Sequence, residues 1–347
     1  MDSEAIAQHI ETVRRLSKPG QALGVDAPTA TMANPAWWRD GTPTPARDRL
    51  HQRLLEEVRA SFPGVASQGR ALVLAGPPGA GKGAVKKDVL GDQIDTFLNV
   101  DADVFKELLL READLDGTYE SWIVPNVVRE LRDAGEPFFP LELASLVHEE
   151  SSYLATALRS DAIAAGDNLI VDTVLGSEAA ALALGKQLSE AGYRVQIADV
   201  EVPFALSEAR IRERWEKSYS RALENGAGLG GRWVPSEYAR GVFDGPDGRS
   251  HPEANARRLA ESCPAVTRFR VFRTGMDQAH LERATPTVDV DLKRATPGAE
   301  LRSVPAPHRA SFTSSPPRET GTHGRPAPKP PRVSREVRRD SPTQRDK

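Results

Sequence analysis

The chain has 347 residues, 39% hydrophobic and 27% charged, enough to bury a sizeable core but not along its whole length. A net charge of −3 gives no reason to expect a nucleic-acid partner, and the single cysteine, Cys263, excludes a disulfide framework or a multi-cysteine zinc site within one chain. No apolar run approaches the roughly 20 residues of a membrane helix, and the opening MDSEAIAQHIETVRR lacks the basic-then-apolar layout of a signal peptide, so a soluble, cytoplasmic protein is expected.

Residues 4–17 place Ile6, Ile10, Val13 and Leu16 at helical spacing, with Ser3 positioned as an N-cap and Pro19-Gly20 as a stop. Such an amphipathic helix is expected to pack on the surface; the alternative is that it folds back over a functional site. Residues 20–45, rich in Pro, Ala and Thr, read as a linker. A second helix over about 46–62 carries Leu50, Leu54, Leu55 and Val58 on one side and ends before Pro63-Gly64. From residue 70 short apolar runs alternate with helical stretches. Strands are expected at 71–75, 96–100, 168–172, 193–202 and 268–272, and helices at 143–165, 177–191 and 205–224. Several of these strands are apolar without alternation, as in a parallel sheet covered on both faces. The fold class that follows is three-layer α/β with a mostly parallel five-stranded sheet and right-handed crossovers. From Arg302 to the end, eleven Lys or Arg face four Asp or Glu, nine prolines accumulate, and large apolar side chains are nearly absent. Such a segment is expected to stay disordered, although its PAPKPPR stretch suits a polyproline helix and a binding partner. The boundaries that result are 1–45 for the N-terminal helix and linker, 46–280 for the α/β domain and 281–347 for the tail.

The sharpest chemical signal is AGPPGAGKG at 75–83, directly after the strand ALVLA and before the helical AVKKDVL. It meets the template GxxxxGK[ST] at Gly76, Gly81 and Lys82, so the nucleotide-binding set is Gly76, Pro77, Pro78, Gly79, Ala80, Gly81, Lys82, Gly83 and Ala84. Glycines let backbone N–H groups turn around phosphate oxygens. The following helix directs its positive end at the same anion, and Lys82 adds a point charge. Gly83 stands where the template has a Ser or Thr hydroxyl for Mg²⁺, so a water or a carboxylate must replace that ligand, or turnover is weakened.

Asp101 and Asp103 lie at the C-terminal edge of the second strand, the edge that faces the ligand crevice of an open α/β sheet. A carboxylate there accepts a proton from an attacking hydroxyl or holds Mg²⁺; the plainer role is a helix N-cap, which one of the two is expected to fill. The third strand closes on Asp172 and Thr173, a Walker B-like placement for a metal-directed carboxylate. The helix after the fourth strand carries Arg210 and Arg214 four residues apart, and Arg232 follows the flexible run GAGLGG. Cations of this kind suit the charge on a transferring phosphoryl group, although arginines on so charged a helix also suit a solvated face.

In this order, GPPGAGKG, DADVFK, RWE at 214–216 and RWVP at 232–235 resemble the zeta-toxin family of kinases over about residues 46–275. The resemblance implies a P-loop kinase fold, ATP or GTP with Mg²⁺ as cofactors, and transfer of the terminal phosphate to a hydroxyl of an amino-sugar nucleotide such as UDP-N-acetylglucosamine. It implies that Lys82 binds phosphate, that Asp103 is the base, and that Arg214 and Arg232 stabilise the transferring group. Asp103 and Asp172 are the metal candidates. The family's substrate-binding Glu on the helix before the third strand has no direct counterpart. By spacing Thr156 falls near that place, and His148, Glu149 and Glu150 lie a turn or two earlier. The acceptor-side set is therefore Asp101, Glu149, Glu150, Thr156, Asp172 and Thr173. An antitoxin partner is implied, with the N-terminal helix as a candidate for its dock or for its substitute in cis. A kinase for another small molecule, such as an antibiotic or a metabolite, and a catalytically weakened nucleotide-binding protein are the alternatives.

Overall fold

The computed structural model describes residues 3–226, 228–279 and 286–304. The N-terminal region comprises α1 (Ser3–Leu16), a tight hairpin of β1 (Trp38–Arg39) and β2 (Thr42–Pro43), and α2 (Pro45–Ala60). The α/β region follows with β3 (Arg70–Ala75), α3 (Lys82–Leu90), β4 (Leu98–Val100), α4 (Ala102–Leu115), α5 (Asn126–Asp133), α6 (His148–Ala164), β5 (Leu169–Asp172) and α7 (Glu178–Glu190). It continues with β6 (Arg194–Glu201), α8 (Phe204–Asn225), α9 (Ser236–Gly241), α10 (His251–Ser262), β7 (Val266–Arg273), α11 (Met276–Ala279), β8 (Thr287–Lys293) and β9 (Arg302–Ser303).

The main sheet runs β4-β5-β3-β6-β7-β8-β9; the first five strands are mutually parallel and the last two antiparallel. The phosphate-loop strand β3 is central, and the apolar character of its run follows from covering both faces. Leu72 and Leu74 pack with Val85 of α3 and Leu206 of α8. Ala71, Val73 and Ala75 pack with Leu184 and Leu188 of α7 and Leu259 of α10. A third core lies among α1, α2, α4, α6 and α8, with Leu54, Phe105, Leu154 and Trp215 at its centre.

Three expectations change. Among the described residues the sheet has seven strands, not five, because 287–293 and 302–303 pair beyond residue 280, the expected domain end. Arg268 and Arg273 of β7 hold β8 through Asp291 and Asp289, the carboxylates that made the segment read as polar. The N-terminal helix is not a surface appendage: Ile10, Val13 and Leu16 are buried in the third core. Nor is 20–45 a linker. Leu23 and Trp38 are buried, Ser145 Oγ donates to Leu23 O at 2.5 Å, and the Arg47 guanidinium sits 4.1 Å over the Trp37 ring. The tail from 305 onward lies outside the described residues.

Candidate active site

Local chemistry shapes the loop after β3. Gly76 has φ 133, and a Cβ there would stand 2.3 Å from Val200 O on β6, so only glycine fits. Gly81 is the N-cap of α3 with φ 96 and brings no capping side chain, which leaves the first-turn N–H groups of the helix open to an anion. Behind the loop α8 acts as a buttress. Ser207 Oγ donates to Pro78 O at 2.6 Å, and the Arg210 guanidinium donates to Gly79 O and Ala80 O at 3.3 Å each. Arg210 thus props the loop from its carbonyl side. Lys82 extends over the loop, donating to Gly76 O at 3.0 Å with its Nζ 3.8 Å from Asp172 Oδ1.

The edge of β4 supplies the second wall. Asp101 is the N-cap of α4, its Oδ1 accepting from Asp103 N at 2.9 Å, so the cap foreseen for one member of the pair falls to Asp101. Asp103 is thereby turned toward the site, where it pairs with Arg232 and with Lys106 Nζ at 3.1 Å. Burial pushes the Asp103 carboxyl up, but Arg232 and then Lys106 outweigh burial and hold it below the usual carboxylate range. Burial raises Asp101, with repulsion from Asp103 adding to it, and burial also raises Asp172 against the pull of Lys82. Arg214 is lowered by desolvation and by Arg232, and it feels the charges of both Asp103 and Asp101. Lys82, Asp101, Asp103, Asp172 and Arg232 thus form one charged cluster at the carboxyl edge of the sheet, with the exposed Arg214 near enough to feel Asp101, Asp103 and Arg232.

Two further groups belong to this crevice. Lys106 lies within DADVFK, so its signal was in the quoted motif without being singled out. Tyr238 of α9 is 54% exposed at the rim, where partial desolvation and then Asp103 raise its hydroxyl, and no sequence signal pointed to it. His148 at the start of α6 is lowered by burial and by Lys106 and also feels Asp103, while its neighbour Glu149 is exposed.

The acceptor-side set needs correcting at Glu150. This residue is fully buried and faces the core, where it accepts from Arg47 Nε at 2.6 Å, from Arg47 Nη2 at 2.7 Å and bonds His51 Nε2 at 2.6 Å. Its carboxyl is held at about 2, because these hydrogen bonds overcome the cost of burial. Thr156 is exposed on α6 two helical turns beyond His148. Thr173 Oγ1 accepts from Leu175 N at 3.0 Å and shapes the turn after β5. As to a metal, no group of three His, Cys, Asp or Glu converges among the described residues. Asp103 pairs with the cations Arg232 and Lys106, and Asp172 lies 3.8 Å from Lys82, so both sequence-predicted metal candidates face cations.

A central parallel sheet in the order 2-3-1-4-5, a glycine-shaped loop after its first strand and arginines on the helix after its fourth define a P-loop kinase-like protein. The family model described as Zeta toxin matches residues 57–283. The chain belongs to the zeta toxin family. Among solved structures, the AvrRxo1-ORF1:AvrRxo1-ORF2 complex with sulphate ions is similar at 19% identity and TM-score 0.51, over 76% of this chain and 71% of that one. The same complex with ATP gives the same values. The PezAT toxin-antitoxin system of Streptococcus pneumoniae matches at 15% identity and TM-score 0.47, over 70% and 80%. No curated protein matches the chain. No helix among the described residues is long and apolar enough to cross a membrane.

Proposed function

We propose that the protein is a phosphotransferase that moves the terminal phosphoryl group of ATP or GTP onto a hydroxyl of a small acceptor, with UDP-N-acetylglucosamine or a related UDP-amino sugar as the acceptor of choice. The observation that carries this reading is the position of Asp103, an ionised carboxylate held between Arg232 and Lys106 and grouped with Lys82 in one crevice. In this reading the triphosphate lies on the loop 76–84, with Lys82 between its terminal phosphates. The acceptor O–H gives its proton to Asp103, the new O–P bond forms, the bond to the leaving diphosphate breaks, and Arg214 and Arg232 balance the charge on the group in flight. Arg232 must leave Asp103 to do so, so nucleotide binding and release of the base are one event. Asp101, Thr173 and the exposed Glu149 and Thr156 are assigned to the acceptor side, and Asp172 to magnesium, which neutralises phosphate charge when bound.

The test is acceptor-dependent consumption of ATP, with mass spectrometry reading the gain of one phosphate on the acceptor. Transfer to UDP-N-acetylglucosamine supports the full reading. Transfer only to another hydroxyl compound retains the kinase and removes the amino sugar. Tight nucleotide binding with no turnover at any magnesium concentration would favour a binding-only role, for which Gly83 is the specific motive. An antitoxin protein covering this crevice is the partner expected of a toxin working in the cytoplasm.

A further inference from the structure

We infer that the N-terminal helix α1 is a working part of the catalytic machinery, and that His9 is a positioning residue for Arg232. This rests on the role given to Arg232 above.

His9 is 1% exposed, and each ring nitrogen faces a carboxylate: Nδ1 lies 2.6 Å from Glu136 Oε1 and Nε2 lies 2.8 Å from Glu142 Oε1. A carboxylate only accepts, so the two contacts are both satisfied by an imidazolium donating from both nitrogens. Burial would lower the ring's pKa, but hydrogen bonds and charge attraction from Glu142 and then Glu136 outweigh it and raise the value. The ring also stacks on Tyr219 at 4.8 Å, meets Phe138 edge-on at 4.7 Å and lies 5.8 Å from Trp215.

From there the contacts run toward the phosphate-handling arginines. Tyr219 stacks on Trp215 at 4.6 Å, and Trp215 follows Arg214 directly on α8. The Trp215 ring meets Trp233 edge-on at 6.1 Å. The backbone at Gly231 runs so close to Trp215 that a Cβ there would stand 2.5 Å from Trp215 O. Arg232 sits between those two contacts. The second arm does the same work from the other side. Glu142 Oε2 accepts from Phe139 N at 2.8 Å, Leu141 N donates to Leu229 O at 2.8 Å, and the Gly230 backbone lies against the Phe139 side chain. The glycine run that looks free in the sequence is therefore gripped at 229, 230, 231 and 233, and both grips end on His9. Arg14 of α1 adds a third contact, lining with Trp233 and Val234 a small cavity where α1, α8 and this loop meet. The titratable and charged groups around the ring are Glu136, Glu142 and Tyr219; Tyr119 feels Glu142 from the turn after α4.

The experiment is a double-mutant cycle on the full chain, with magnesium ATP and UDP-N-acetylglucosamine as probes and hydrolysis of ATP by water to ADP and phosphate as the acceptor-independent readout. His9→Phe keeps an aromatic ring and removes both donors. It should lower kcat by roughly tenfold to a hundredfold, the range that a displaced catalytic group costs, while the Kd for ATP stays within about twofold. In the Arg232→Gln background His9→Phe should have almost no further effect, because the group it positions is gone. An equal loss in both backgrounds would mean general destabilisation and would overturn the proposal, as would full activity in His9→Phe. Glu136→Gln changes only the partly exposed partner of His9 Nδ1; should His9→Phe not fold, the same cycle with Glu136→Gln decides by the same criterion. Unchanged turnover in Arg232→Gln alone would instead strike the role of Arg232, a different failure.

Discussion

Asp103 meets opposing demands: a base needs affinity for a proton, yet Arg232 and Lys106 hold this carboxyl below its ordinary range. In the free protein a lowered pKa keeps the group ionised above the usual carboxylate value, so kcat/KM, which reports the free enzyme, should show no acid limb from Asp103 between about pH 5 and 8. Asp103→Asn preserves shape and removes the base; transfer should fall by about two to four orders of magnitude, with nucleotide affinity measured by calorimetry nearly unchanged. Turnover that survives the change would remove Asp103 from its role. Gly83 poses a different question. A Cβ at this position meets nothing within 4 Å, and the residue lies in the first turn of α3 with ordinary helical geometry. Nothing in the fold demands glycine there. Gly83→Ser should therefore fold with stability equal to or up to about 1 kcal/mol above the native chain. It should also raise turnover at limiting magnesium, because it returns the hydroxyl the loop lacks. Equal magnesium dependence in the two proteins would show that water already fills that role.

At the scale of elements, the joint between α2 and α6 rests on Glu150. Its carboxylate is fully buried, pairs with the Arg47 guanidinium and hydrogen-bonds the His51 ring. Removing one side of such a buried pair costs about 3–5 kcal/mol, because the remaining charge stays in the core. Glu150→Ala should show that loss in chemical denaturation, whereas a substrate ligand would show it in KM. The sheet edge yields a parallel case. Ending the chain at residue 280 would strip β8 from β7, leave Arg268 and Arg273 without Asp291 and Asp289, and expose a long apolar edge. Such a chain should aggregate, and light scattering would reveal it, while a chain ending at 304 should not. These two places also mark what the sequence could and could not disclose. The strands β3 to β7 were legible because burial on both faces leaves a plain apolar run, and the loop 76–84 because phosphate geometry admits few residues. β8 was not, because TVDVDLK alternates charge beside the two-residue edge strand β9 and looks like a solvated segment until arginines from β7 arrive. Glu150 was misplaced because Arg47 and His51 stand about a hundred residues away, and no local pattern pairs them. The grip on 20–45 is hidden under proline and alanine, and the Trp37-Trp38 pair is the sequence sign of burial there.

For the molecule as a whole, stability should fall as pH rises through neutrality, and the cause lies under the phosphate loop. Asp199 and Glu201 end β6 on the face that packs against α10, and Val200 between them is the residue that Gly76 abuts. Asp199 is completely buried, and its oxygens meet no N–H or O–H donor among the described residues. Glu201 accepts from Ser250 Oγ at 2.7 Å, and Glu253 nearby is already bound by Arg273 at 2.8 Å. Two adjacent buried carboxyls can bond each other only if one keeps its proton. Burial, with repulsion from neighbouring carboxylates, raises Asp199 well above its usual range and lifts Glu201 to about 7. A carboxyl whose folded pKa exceeds its unfolded one binds more proton folded than unfolded. Its stabilising share is then complete below about pH 4 and is lost as pH climbs through 7, a loss of order 1–3 kcal/mol. His9 and Glu142 are raised as well and act in the same sense, whereas Glu150, held low, loses its share only in strong acid. Glu201→Gln separates these contributions: its amide donates to an ionised Asp199 and its oxygen still accepts from Ser250. The variant should melt higher than the native chain at pH 8 and similarly at pH 5 by calorimetry. An identical decline in Tm between those two pH values would locate the proton elsewhere and leave the pair under the phosphate loop as an inert feature of the core.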